Sequence, residues 1–118
     1  MTKFVAPRIV ATLACLLAAT AASAADAGNG KKVFVRWCQG CHEPLPGHGW
    51  DPPAGTYTLQ QRYQGKLPAE LEKRTDLDPA YIRTLVRQGL NVMTRFRKTE
   101  VTDQDLDDVV AYLTQPKR

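Results

Sequence analysis

Trp37-Cys38-Gln39-Gly40-Cys41-His42 is the stretch that decides how this chain folds. Its spacing, C-x-x-C-H, is that of a covalent haem attachment site. Two thiols on one turn of backbone can each add to one of the two vinyl groups along a haem edge. The residue that follows is then carried under the iron, where its imidazole nitrogen becomes an axial ligand. The expectation is one covalent haem c, with thioether bonds at Cys38 and Cys41 and His42 as the proximal iron ligand. Three plainer readings compete. A thioredoxin-like dithiol needs a βαβ pattern around it, and none is visible. A zinc site needs four ligands, and outside the motif the chain has only Cys15 and His48 to add. A structural disulfide leaves His42 without a role.

Upstream, residues 1–24 read as a secretory signal that is cleaved. Lys3 and Arg8 form a positive start, Ile9 to Ala19 is apolar, and Ala22-Ser23-Ala24 fits a small-x-small cleavage site. Uncleaved, the run is alanine-rich and short for a membrane span. Thr12-Leu13-Ala14-Cys15 faintly resembles a lipoprotein box, but Thr12 stands where an aliphatic residue is expected and apolar residues continue beyond Cys15. The mature chain, residues 25–118, is then one small domain with a thin core that a covalent haem would complete. The full sequence has a net charge of +4. The segment removed contains Lys3 and Arg8 and no acid, so little positive charge remains. An exported, nearly neutral chain excludes nucleic acid as a partner. The compartment expected is the periplasm, with no membrane anchor after cleavage.

Around the motif the patterning is helical. Gly28 to Trp37 forms a first helix with Val33, Phe34 and Trp37 on one side. Gly30 and Phe34 would let a second helix cross closely. From Glu43 to Asp78, Pro44, Pro46, Gly47, Gly49, Pro52, Pro53 and Gly55 mark loop, which should wrap the proximal haem side. A carbonyl there, with Pro52 and Pro53 as candidates, is expected to accept a hydrogen bond from the second nitrogen of His42. Thr58 to Tyr63 and Pro68 to Arg74 each suit a short helix. Trp50, Tyr57, Arg62 and Tyr63 are possible propionate donors, or simply packing and surface.

The C-terminal third reads more clearly. Asp78 caps a helix, Pro79 starts it, Ile82, Leu85 and Val86 give it an apolar face, and Gly89 ends it. A last helix opens at Thr102, with Asp105 three residues on as a weak version of the capping box. It carries Leu106, Val109, Val110 and Leu113 on one face and stops at Pro116. Asp103, Asp105, Asp107 and Asp108 gather at its positive end. No strand pattern, repeat or second domain competes, so the fold class is all-α.

A His-ligated iron of this kind needs a sixth ligand or an open site, and Met93 is the candidate ligand. Met93 lies between the last two helices, with enough chain after His42 to reach the opposite haem face. His48 is tethered six residues from His42 and is read as loop. The alternative for Met93 is a core gap-filler. Thioether opposite imidazole raises the potential and suits an electron carrier rather than an oxygen activator.

With these residues assembled, the chain resembles the class I cytochromes c over the whole of residues 25–118. The resemblance rests on Gly30-x-x-x-Phe34, Cys38-x-x-Cys41-His42, Gly89-x-x-x-Met93 and the final helix with Tyr112-Leu113. It implies three to five helices around one covalent haem with an exposed edge. Thr94 stands where that family usually has proline, although Phe96 matches a common aromatic. More narrowly, Tyr81-Ile82-Arg83-x-Leu85-Val86-Arg87-x-Gly89 through Met93-x-x-Phe96 is similar to the small cytochrome subunits of p-cresol methylhydroxylase-type flavocytochromes. That likeness implies a flavoprotein donor acting on para-alkyl phenols. The stretch from Gly55 to Asp76 is longer than in the shortest members.

The function expected is one-electron transfer without substrate chemistry, from a partner dehydrogenase to a downstream acceptor. Arg83, Arg87, Arg95, Arg97 and Lys98 are candidates to ring the haem edge and steer an acidic partner, or else are solvated surface. The alternatives are a free-standing shuttle, a haem peroxidase or gas-binding protein, and a sensor or assembly protein.

Overall fold

A computed structural model describes residues 23–47 and 51–117. Most of the signal segment, with Cys15, and the loop residues His48 and Trp50 lie outside the described residues. Among the described residues five α-helices follow one another: α1 (Ala27–Trp37), α2 (Gln39–His42), α3 (Ala54–Tyr63), α4 (Pro79–Gln88) and α5 (Asp103–Thr114). A single 3₁₀ turn, Leu71–Lys73, sits between α3 and α4. Among the described residues there is no strand, only one isolated bridge between Leu90 and Met93.

Helix α1 begins at Asp26, whose carboxylate accepts from the amides of Gly28 at 2.8 Å and Asn29 at 3.2 Å. It packs chiefly on α5, and glycine makes the approach possible. A Cβ at position 30 would stand 2.0 Å from the carbonyl oxygen of Asp108 and 2.9 Å from Cβ of Tyr112. One turn on, Phe34 is 1% exposed and its ring lies 5.8 Å from that of Tyr112. Val33, Phe34, Ile82, Val86, Val101, Leu106, Val109, Val110 and Leu113 form the buried core. Each contributes roughly 1.5–3 kcal/mol by leaving water.

The later caps agree with the sequence. Asp78 accepts from Tyr81 N–H at 2.7 Å. Thr102 and Asp105 form a reciprocal capping box, and α5 ends two residues before Pro116. Asp108 departs from expectation. Rather than serving the helix dipole, its buried carboxylate accepts from Asp26 N–H (2.8 Å), Asn29 Nδ2 (2.7 Å) and Gln104 Nε2 (2.9 Å). It ties the start of α1 to α5.

Two expected helices are corrected. The first starts four residues earlier than Thr58, because Pro53 takes the cap position and Ala54-Gly55 form the first turn. The second, expected from Pro68, shrinks to the 3₁₀ turn because Glu70 is extended (φ −75, ψ 120). After that turn Arg74, only 6% exposed, forks onto Asp76 with two 2.6 Å bonds and lies 4.6 Å over the Tyr63 ring. Nothing in the sequence pattern had singled it out.

Candidate haem site

The thiols and imidazole of the motif are carried on a helix that breaks and restarts. Cys38 caps α1, donating its N–H to Phe34 O at 2.8 Å. Its own carbonyl accepts from Cys41 N–H at 3.1 Å and His42 N–H at 3.0 Å, which starts the single turn of α2. Cys38, Cys41 and His42 are thereby held on one turn. Both thiols are free, Cys38 half-buried and Cys41 exposed, so neither is spent in a disulfide. Burial, with the neighbouring Cys41, pushes the Cys38 thiol up to about 11. Among the described residues no group of three or more His, Cys, Asp or Glu side chains could hold a metal ion.

His42 is set by α3. Thr56 is 1% exposed and its hydroxyl donates to Glu43 O at 2.8 Å, pinning the helix start against the end of α2. Gly55 then faces the ring: a Cβ there would lie 2.6 Å from His42 Cε1, 2.8 Å from Nδ1 and 2.7 Å from Cys41 O. Nδ1 is buried and has no hydrogen-bond partner among the described residues. The expected bond to Pro52 or Pro53 is not formed. Pro53 O instead accepts from Tyr57 N–H at 2.9 Å as the first acceptor of α3, and the ring meets the glycine instead. Burial lowers the His42 pKa, favouring the neutral imidazole that can ligate a metal.

Met93 closes a tight turn. Leu90 and Met93 exchange backbone bonds of 3.0 and 2.9 Å across Asn91-Val92, with Asn91 at φ 53. Gly89, at φ 75, lets the turn fold back, since a Cβ there would lie 2.7 Å from Met93 O. The half-buried Met93 packs on the same core as Cys38, Trp37 and Phe96. Trp37, next to Cys38, meets Phe96, three residues after Met93, edge-on at 6.0 Å. The fold thus brings the motif and the methionine segment to one core.

The basic residues around Met93 are not a free ring. Arg83 pairs with Asp107, Arg97 with Glu100, and Lys98 and Arg87 both with Asp103. Among the described residues, no side-chain hydrogen bond or ion pair is seen at exposed Arg95. A few positions earlier in the chain, Leu90 and Val92 are 44% and 68% exposed. Of the possible propionate donors, Tyr57 is exposed and Arg62 stacks over Tyr63 at 5.8 Å.

Residues 25–113 match the family described as cytochrome C oxidase, cbb3-type, subunit III. The chain belongs to that family of c-type cytochromes. It is 34% identical over 94 residues to a cytochrome c6 from Gloeothece citriformis (strain PCC 7424), covering 80% of this chain and 74% of that protein. It is 32% identical over 101 residues to the 4-cresol dehydrogenase [hydroxylating] cytochrome c subunit of Pseudomonas putida, covering 84% and 72%. No solved structure matches it significantly. This cytochrome is an all-α, class I type electron carrier with covalently bound haem c, and it is not itself a catalyst. No helix among the described residues is long and apolar enough to cross a membrane.

Proposed function

We propose that residues 1–24 direct export and are cleaved, and that residues 25–118 act in the periplasm as a one-haem carrier of single electrons. Cys38 and Cys41 hold the haem by thioethers, and His42 and Met93 hold its iron. The observation that carries this reading is the His42 ring, packed by its Nδ1 edge under Gly55 on the turn that also bears both thiols. That packing fixes the ring from the protein side and leaves Nε2 as the nitrogen for the iron. Haem supplies a metal that cycles between ferric and ferrous states. The chain's own contribution is to orient the imidazole, shield it from water and present a thioether from the turn of Met93, which favours the ferrous state.

The partner proposed is a dehydrogenase, a flavoprotein oxidising para-substituted phenols, which would release its two electrons to this cytochrome one at a time. Similarity to the Pseudomonas putida cytochrome subunit supports it. The exposed Leu90, Val92 and Arg95 suit an apolar contact with a light electrostatic bias. A second reading, a free shuttle to a downstream acceptor, draws on the similarity to cytochrome c6.

Mild purification of the tagged protein from its host tests both. Flavin co-eluting with haem on a large second chain supports the subunit reading. A haem monomer without flavin overturns it in favour of the shuttle.

A further inference from the structure

We infer that Arg87 is the positioning residue for the methionine segment and governs how firmly Met93 is held on the iron. The inference rests on the proposed ligation by Met93.

After Met93 the chain runs through residues 94–97 without regular structure before reaching α5. Such a segment has few bonds of its own, so its backbone must be held by something outside it. One bond comes from helix α4, where Val86 O accepts from Phe96 N–H at 2.8 Å. Within the loop Arg97 N–H donates to Glu100 Oε2 at 2.8 Å, and from outside the loop Arg87, the next residue on α4, adds a second hold. Its Nη1 donates to Phe96 O at 3.2 Å and to Val101 O at 2.9 Å, and its Nη2 to Asp103 Oδ1 at 2.9 Å. One guanidinium therefore joins the end of the segment, the residue before the α5 cap, and the first turn of α5.

Two further features make this a built arrangement. The Arg87 side chain is 22% exposed, against 75% and 72% for Arg97 and Lys98. Its carbonyl acceptors are uncharged groups that lysine, with a single nitrogen, cannot bridge together with Asp103. The charge half of the clamp is also duplicated, because Lys98 donates to the other oxygen of Asp103 at 2.7 Å. The carbonyl half is specific to Arg87. Release of those two carbonyls loosens the segment between Met93 and α5, and with it the Trp37–Phe96 contact, while the turn that carries Cys38 and His42 keeps its own bonds.

The test uses the full-length holoprotein and reads ligation rather than stability alone. Arg87→Gln should keep covalent haem but lose at least half of the ferric sulfur-to-iron charge-transfer band, with a lower midpoint potential and new carbon monoxide binding when reduced. Arg87→Lys should fall between the two. Asp103→Asn, which spares the carbonyl bonds, should keep the band. Where Arg87→Gln fails to fold, Arg87→Lys against Asp103→Asn carries the same comparison. An unchanged band and potential in both Arg87 variants overturn the inference. Met93→Ala separates the two layers. If it abolishes the band while the Arg87 variants keep it, only the role of Arg87 falls. If Met93→Ala itself changes neither band nor potential, the ligand assignment falls and the role of Arg87 with it.

Discussion

Gly55 lies directly against the His42 imidazole: a methyl group at position 55 would stand 2.6 Å from Cε1 and 2.8 Å from Nδ1. The pressure on this position is therefore exerted on the proposed iron ligand itself. Gly55→Ala should tilt the ring or lift the start of α3, costing about 1–3 kcal/mol in a close-packed site. Denaturant unfolding and the ferric spectrum of the holoprotein should both change. Gly40→Ala is the control, since beyond its chain neighbours and its own helix backbone nothing of the protein lies within 4 Å of its added Cβ. In a helical turn that change should be neutral or gain up to about 1 kcal/mol. Equal effects of the two substitutions would dismiss the contact.

Gly30→Ala should be more damaging to the fold and less specific to the haem. Its Cβ meets backbone, the Asp108 carbonyl at 2.0 Å, which cannot rotate away as a side chain can. Separation of α1 from α5 exposes Phe34 and Tyr112, and a loss of about 3 kcal/mol or more is expected. Thermal unfolding measures it, and a loss below about 1 kcal/mol would contradict the close crossing.

Asp108 predicts an acid-side dependence. Burial pushes its pKa up, but the hydrogen bonds from Asp26 N–H, Asn29 and Gln104 together outweigh burial and hold it below the usual carboxylate range. The unfolded chain therefore takes up this proton first. The stabilisation is fully present above the unfolded value of about 3.9 and is lost as pH falls through the lower folded value. Asp76, Glu100 and Asp103 shift in the same direction through their Arg and Lys partners, so a difference measurement is needed. Asp108→Asn should be less stable at neutral pH by about 1–3 kcal/mol. The gap from the unaltered protein should narrow below about pH 4. A gap that stays constant with pH would rule out an ionised Asp108.

Arg95 and Arg97 should differ in partner kinetics. Arg97 is paired with Glu100 at 3.0 Å, whereas no partner is seen for Arg95 among the described residues. Arg95→Glu should slow reduction by an acidic donor and weaken its salt dependence more than Arg97→Glu does. Stopped-flow reduction at two ionic strengths checks this. Equal slowing by both would return the whole basic cluster to the docking face.

The local parts of this protein were legible because local chemistry decides them. The caps at Asp78 and Thr102, the helical stripe from Leu106 to Leu113, the stop before Pro116 and the thiol–thiol–imidazole spacing all lie within one or two turns of backbone. So does the crossing implied by Gly30 and Phe34, since a small residue one turn from an aromatic is itself a pattern. The start of α3 was misread because Pro53 and Gly55 look like loop residues. Proline serves there as a cap, and glycine is required by a ring thirteen positions earlier in the chain.

The tertiary structure alone decided which polar groups meet. Arg87 and Arg95 are alike in sequence, yet one bonds two carbonyls and Asp103 while the other stands exposed. Asp107 and Asp108 are neighbours, yet one pairs with Arg83 on α4 and the other is buried under α1. Charge and helix propensity are properties of a residue and its near neighbours, so sequence carries them. Partnership and burial depend on how distant helices cross, and a single position along a helix turns a side chain by about 100°.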